Sequence, residues 1–291
     1  MHHLSKSRNF AIMLIPSVAV YTLYIVISVF VAIYYSFTKY SGVGVEKWVG
    51  LKNYKRLLTD RYFIIALSNT GIILVVALIT LVVLGFLLAN LLHQKLKIKG
   101  VCQALIYIPI VIAPIVVGVI WLFILDPSYG FINNFLRYIG LGDYSRSWIG
   151  AKNNLAAYSI AFIYFWRNLG YIATIFLTGI NMISDEIYEA AGIDGVNWFT
   201  KMIYITIPML KETITIVIVL VVTGVFKVLE IVTQLTNGGP NHLSETLVTY
   251  SYTVSFNTGE YGYGMSIATV TFMISLVFSL FYINVINKKG K

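Results

Sequence analysis

Glu189-Ala190-Ala191-Gly192-Ile193-Asp194-Gly195, followed after nine residues by Ile205-Thr206-Ile207-Pro208, lies between two strongly apolar segments of a 291-residue chain. The stretch predicts a short helix that a lipid-immersed protein presents to water. Ser184 is placed to cap it, Asp185 and Glu186 fall in the first turn where carboxylates face the positive end of the dipole, and Gly192 or Gly195 can end it. Ile187 and Ala191 would share one face and Glu189 would lie on another. Such a helix is either a plug for a socket on another protein or a surface helix lying on lipid headgroups.

Outward from this stretch, composition requires a bilayer as solvent. The chain is 58% hydrophobic and 11% charged, with a mean hydropathy of +0.81, which leaves too little polar surface to solvate a globule. Runs free of Asp, Glu, Lys and Arg cover residues 9–38, 62–94, 100–125 and 261–287, each meeting the roughly 20 residues that a spanning helix needs. Two further spans carry charge: 154–178 contains Arg167, and 213–235 contains Lys227 and Glu230. The expectation is an all-α membrane protein of six transmembrane helices, near 10–37, 64–92, 101–125, 154–178, 213–235 and 262–286, forming one domain over 1–291. Lys6 and Arg8 precede the first apolar run as in a secretory signal, but that run far exceeds the roughly 7–15 residues of a signal core.

Charges inside spans are costly in lipid, so Arg167, Lys227 and Glu230 should face the protein interior or a watery cavity. Lys227 and Glu230 stand three apart; on a continuous helix they could form a neutralising pair, or line a pathway, or relay protons. Trp166, Arg167, Asn168 and Tyr171 supply aromatic faces and an amide donor near mid-membrane, a combination suited to stacking on sugar C–H faces and holding hydroxyls. Arg167 could select a carboxylate on a substrate or pair with Glu230. Thr236-Asn237-Gly238-Gly239-Pro240 cannot continue a helix and reads as a loop. The segment Trp48 to Leu58 reads as an amphipathic helix at the membrane interface. Orientation from basic residues is nearly undecided, ten on one side against nine on the other.

The chain lacks the signatures of an enzyme: no GxxxxGK[ST], HExxH or GxSxG motif is present, and the single Cys102 allows neither a disulfide within the chain nor a Cys/His metal site. Energy from ATP would have to come from another polypeptide.

Glu-Ala-Ala, three residues, Gly, nine residues and Ile-x-x-Pro together resemble the cytoplasmic loop of permease subunits of binding-protein-dependent ABC importers, with Ile207 where the family usually has Leu. Phe226-Lys227-Val228-Leu229-Glu230 and the Asn-Gly-Gly-Pro turn resemble the carbohydrate-importing, maltose-type members, specifically the first permease. The resemblance implies a type I importer permease fold with a cytoplasmic coupling helix within a loop near 180–211. It implies that Glu186, Glu189, Ala190, Ala191, Asp194, Gly195 and Pro208 engage an ATPase subunit, that Trp166, Arg167, Asn168, Tyr171, Lys227 and Glu230 line the substrate pathway, and that Asn237, Gly238, Gly239 and Pro240 dock a binding protein. No cofactor is expected in this chain, ATP and Mg residing on partners. Those partners would be a second, non-identical permease, two ATPase subunits, an extracytoplasmic solute-binding protein, a carbohydrate and membrane lipid, with no nucleic acid. The implied location is a prokaryotic cell membrane, multi-pass, with both termini cytoplasmic. An ion-coupled secondary transporter is the alternative, with the span charges as relay groups.

Overall fold

The computed structural model describes residues 7–94, 97–150 and 155–288. Among the described residues four helices are long and apolar enough to cross a membrane, and the number rises to six if each of two bent pairs is one span. The first is α1 (Ser7–Tyr21) continued through a π turn (Thr22–Val26) into α2 (Ile27–Ser36). None of its apolar window is buried, so it is the peripheral element of the bundle. A two-residue hairpin, β1 (Thr38–Lys39) and β2 (Lys47–Trp48), leads to α3 (Lys52–Leu57) and α4 (Arg61–His93). The sequence suggests one interfacial helix over Trp48 to Leu58, but its first part is drawn into a strand. Thr38 pairs with Trp48, the Val49 amide donates to the Phe37 carbonyl at 2.8 Å, and Trp48 stacks on Phe37 with centroids 5.4 Å apart. Only α3 remains helical.

At 1.5 Å per residue, the 33 residues of α4 extend about 50 Å, beyond the roughly 30 Å hydrocarbon core. α4 runs parallel to α8 (Leu155–Asn181), and these two form the most extensive helix pair. Their seam holds Ile73, Ala77 and Leu81 of α4 and Ile160, Ala173 and Phe176 of α8, all with no accessible surface, and Phe86 meets Phe176 edge-on at 5.8 Å. Lipid offers little hydrophobic drive between helices, so alanines at the seam matter by letting backbones approach. At one end of the pair, the Asp60 side chain caps α4 by accepting from the amides of Tyr62 at 2.9 Å and Phe63 at 3.4 Å. At the other, His93 Nδ1 and Asn181 Oδ1 lie 3.1 Å apart.

The third span differs from a straight helix over 101–125. α5 (Lys99–Val111) and α6 (Pro114–Ile124) meet at 96°. Proline excludes its predecessor from the helical region, and Ala113 is extended with ψ 136° before Pro114, which opens α6 at a position where its missing N–H costs nothing. After α7 (Phe131–Tyr138) and α8 come α9 (Asp185–Ile193), α10 (Trp198–Lys201), a π turn (Met202–Thr206) and α11 (Ile207–Met209). Pro208 cannot donate to the Tyr204 carbonyl, and the ladder slips to the π spacing just before it, with the Ile207 amide reaching Met202. The chain bends by 74° at Leu210 into α12 (Lys211–Val225).

The fifth span is likewise not continuous over 213–235: it stops at Val225, and α13 (Glu230–Leu235) begins anew with Glu230 in its first turn. Lys227 lies in the break, so the two residues do not share a continuous helix face. Among the described residues neither has an ion-pair partner, which removes the neutralising pair. The chain closes with α14 (Leu247–Tyr252), a π turn (Thr253–Asn257) and α15 (Tyr261–Lys288), which packs against α2.

Candidate functional site

The Glu-Ala-Ala helix, α9, sits at the end of the bundle marked by His93 and Asn181. Ser184 caps it, its hydroxyl accepting from the Glu186 amide at 3.3 Å, and Asp185 and Glu186 occupy the first turn. The opposite end closes as a Schellman motif: the Val196 amide reaches back to the Ala191 carbonyl and the Gly195 amide to the Gly192 carbonyl, both at 3.1 Å. Gly195 supplies the left-handed residue this needs, at φ +69°. Of the two glycines expected to end the helix, Gly195 does so.

Ala191 is the buried foot of α9, and Tyr188 stands beside it, its hydroxyl 3.2 Å from Thr206 Oγ1 and its carbonyl accepting from Lys201 Nζ at 3.2 Å. Ile187 is 37% exposed, so the anchoring face runs through Tyr188 and Ala191 and not through Ile187. Glu186, Glu189, Ala190, Asp194 and Gly195 are exposed, as is Pro208 in α11. Both ends of α9 satisfy their own backbone, its foot is clamped and its acidic crown is uncovered: a rigid knob. A cleft of about 350 Å³ between α9 and α4 is lined by His93, Asp185, Tyr188, Trp198 and Lys201.

The mid-span residues gather around the two helix breaks. Arg167 does not pair with Glu230; its Nη2 donates to the carbonyls of Ile110 at 3.2 Å and Ile112 at 3.5 Å. The reason lies in the kink. The Ile110 carbonyl would accept from residue 114, which is proline and has no N–H, so the guanidinium satisfies an oxygen that lipid could not. Gly170, one turn further along α8, permits this contact, since a Cβ there would strike the Ile106 carbonyl of α5. Trp166 meets Trp121 of α6 edge-on at 5.5 Å, and α6 packs in turn against α13, which Glu230 opens. Asn168 turns its amide back to the Tyr164 carbonyl at 2.7 Å, and Tyr171 is half-buried in the core. Lys227 and Glu230 are exposed. The structure therefore brings Trp166 and Arg167 to the α5–α6 kink and leaves Lys227 and Glu230 uncovered at the α12–α13 break.

The Asn-Gly-Gly-Pro turn lies at the opposite end from α9, where the His242 ring stands 4.9 Å from that of Tyr62. Asn237 and Pro240 are at the surface, Gly238 is buried and Gly239 intermediate. Beneath it is a polar seam that the sequence reading missed. Asn69 Nδ2 donates to the carbonyls of Leu243 and Glu245, each at 2.9 Å, and the Leu247 amide donates to Thr70 at 3.0 Å. Glu245, 1% exposed, accepts from Thr253 at 3.2 Å and lies 3.2 Å from His242 Nδ1. The available signal was Asn69-Thr70 in an otherwise apolar run, where unpaired polar groups are too costly to be idle.

Nearby, Asp60 also accepts from the hydroxyls of Tyr250 at 2.6 Å and Tyr263 at 2.5 Å. Burial pushes its carboxyl up, but these two hydroxyls and the Tyr62 and Phe63 amides outweigh it and hold the group below the usual carboxylate range. Among the described residues, no cluster of His, Cys, Asp and Glu could hold a metal.

Residues 81–290 match the family model described as "Binding-protein-dependent transport system inner membrane component". A probable ABC transporter permease, YurN of Bacillus subtilis, is 35% identical over 92% of this chain and 92% of its own length. The trehalose/maltose transport system permease MalF of Thermococcus litoralis is 30% identical over 94% and 92%. A chain of a bacterial ABC transporter that imports the acidic polysaccharide alginate superposes with a TM-score of 0.85, covering 99% of this chain and 98% of that one, at 20% identity, a likeness of fold. The chain belongs to the family of inner membrane components of binding-protein-dependent ABC transport systems.

Proposed function

We propose that this chain is a membrane-spanning permease subunit that translocates a sugar or oligosaccharide delivered by an extracytoplasmic binding protein, driven by ATP hydrolysed on separate subunits. The observation that carries the reading is α9, capped at both ends, footed on Tyr188 and Ala191, and displaying Glu186, Glu189 and Asp194 to solvent. This is a coupling element: a load on its acidic crown passes through Tyr188 to the α10–α11 segment and into the bent fifth span. α9 thus faces the cytoplasm, and the Asn237–Pro240 turn at the far end receives the binding protein. Both termini then lie inside a prokaryotic cell membrane.

A sugar is favoured by the relatives, whose names include permeases for trehalose/maltose, diacetylchitobiose and multiple sugars. The Trp121–Trp166 pair beside the kink gives aromatic faces of the right kind. Lys227 and Glu230, uncovered in the isolated chain, are to be covered by a second, non-identical permease or to line the pathway with it. No cofactor is assigned to this chain; ATP and Mg belong to the two ATPase partners. The complex with an alginate-loaded periplasmic protein, known for one structural neighbour, illustrates the assembly.

The test is co-purification. A tagged chain taken from its native membrane should carry with it an ATPase subunit and a second permease, and Glu189→Ala should recover several-fold less ATPase at equal recovery of the second permease. Undiminished ATPase recovery from the variant would remove Glu189 from the interface. Recovery of the tagged chain alone, with uptake independent of ATP, would overturn the importer reading.

A further inference from the structure

At the end of the bundle remote from α9, the hairpin, α3 and the start of α15 enclose a cavity of about 780 Å³ whose wall carries Lys39, Lys47, Lys52, Lys55 and Arg56 against a single acid, Glu260. The coupling and pathway readings use none of these residues. Arg56 is already occupied: its Nη1 lies 2.7 Å from Glu260 Oε2 and its guanidinium stacks 3.9 Å over the Tyr263 ring. Of the other nearby acids, Asp60 is taken up by the two tyrosine hydroxyls, and Glu46, beside Lys47 in the hairpin, makes no ion pair among the described residues. Among the described residues no carboxylate pairs with any of the four lysines. Four like charges around one cavity repel each other, and an anion would relieve that repulsion.

The cavity is built, not a gap between mobile loops. Asn53 Nδ2 donates to the carbonyls of Ser36 and Thr38, both at 2.8 Å, tying α3 to the hairpin base, and the Tyr54 hydroxyl lies 2.6 Å from Ser36 Oγ. What stands at its rim decides the class of anion. Val45 lines it, and Val43, Trp48, Leu51 and Leu58, close to the lining residues in sequence, are like it at least 60% exposed; α2, packed on α15 but with none of its apolar window buried, descends beside it. Tyr40 lines the site, and from it a ring cluster runs through Tyr35, Tyr34, Trp48 and Phe37 to Tyr54, the kind of aromatic belt that sits at headgroup level. A ligand suited to both parts has a negatively charged head and hydrocarbon tails.

We infer that this cavity binds the phosphate of an anionic phospholipid, whose acyl chains lie along α2 while the lysines hold the headgroup. Lysine suits the role, being a compact cation on a flexible stem that meets phosphate as a point charge. The lipid would add to the α2–α15 packing that holds the first span to the bundle.

The experiment uses the purified full chain in neutral detergent, titrated with phosphatidylglycerol and with phosphatidylcholine of identical acyl chains, and bound lipid read by native mass spectrometry. Phosphatidylglycerol should be preferred by at least tenfold. Each lysine removed in the series Lys47→Gln, Lys52→Gln and Lys55→Gln should weaken that preference by about fivefold. The matching Lys→Arg variants should keep the preference, which separates charge recognition from a folding defect. Equal binding of the two lipids, or a preference that survives loss of all three lysines, would overturn the assignment. Displacement of bound phosphatidylglycerol by millimolar inorganic phosphate would overturn it too, since the site would then recognise a free anion without its tails.

Discussion

At the residue scale, Arg167 and Asn69 bond backbone carbonyls that a proline kink or a loop leaves without helical partners. Arg167 could be read from its type and depth as a pathway or pairing residue, and its depth was legible. Its true partner was not, because that depends on which carbonyl Pro114 leaves unpaired in a helix 57 residues away in sequence. Arg167→Ala should lower stability by about 2 kcal/mol, the cost of leaving buried carbonyls unsatisfied, and should appear as a lower melting temperature of the purified chain. Loss of uptake at unchanged melting temperature would return the residue to the pathway. Asp60 makes a second residue-scale case. Its folded pKa is depressed, so the stability it adds is fully present above its unfolded pKa of roughly 3.9 and is lost as pH falls through the lower folded value. Asp60→Asn should therefore destabilise by about 2 kcal/mol at neutral pH. The deficit should persist down to about pH 4 and close only below it. A deficit that closes between pH 7 and 5 would mean that another group governs.

At the scale of elements, the local signals for α9 were complete. Ser184, the two acids behind it and Gly195 fix both ends of that helix through contacts within a dozen residues. The spans were legible as apolar runs, yet their interruptions were not taken from the same residues: Ala113-Pro114 carries the signal for the 96° break, and Glu230 is a favourable first-turn residue for a new helix. An apolar run satisfies a length criterion whether it is straight or broken, so hydropathy hides the kinks that shape the interior. The α12–α13 break has no proline at all and is sustained by packing of α13 on α6. If Pro114 is what sets the first break, Pro114→Ala restores an N–H for the Ile110 carbonyl and allows α5 and α6 to straighten. Spin labels on cysteines at positions 101 and 123, in a Cys102→Ser background, should then move further apart. An unchanged distance would assign the break to the α6–α13 contact.

At the scale of the whole molecule, the bundle is polarised in what it exposes. One end offers an acidic, rigid knob on α9, the other a basic cavity and the Asn237–Pro240 turn, and between them Lys227 and Glu230 stand uncovered where lipid could not tolerate them. Charges at that depth are costly in lipid, and the three regions differ from one another in chemistry. The importer reading and the ion-coupled alternative diverge on what supplies the energy. In proteoliposomes that contain the whole complex, uptake should require ATP on the α9 side and loaded binding protein on the other. It should continue at about its full rate when ionophores collapse proton and sodium gradients. Uptake that ceases with the gradients and ignores ATP would make Lys227, Glu230 and Arg167 relay groups after all, and would leave the acidic knob without a task.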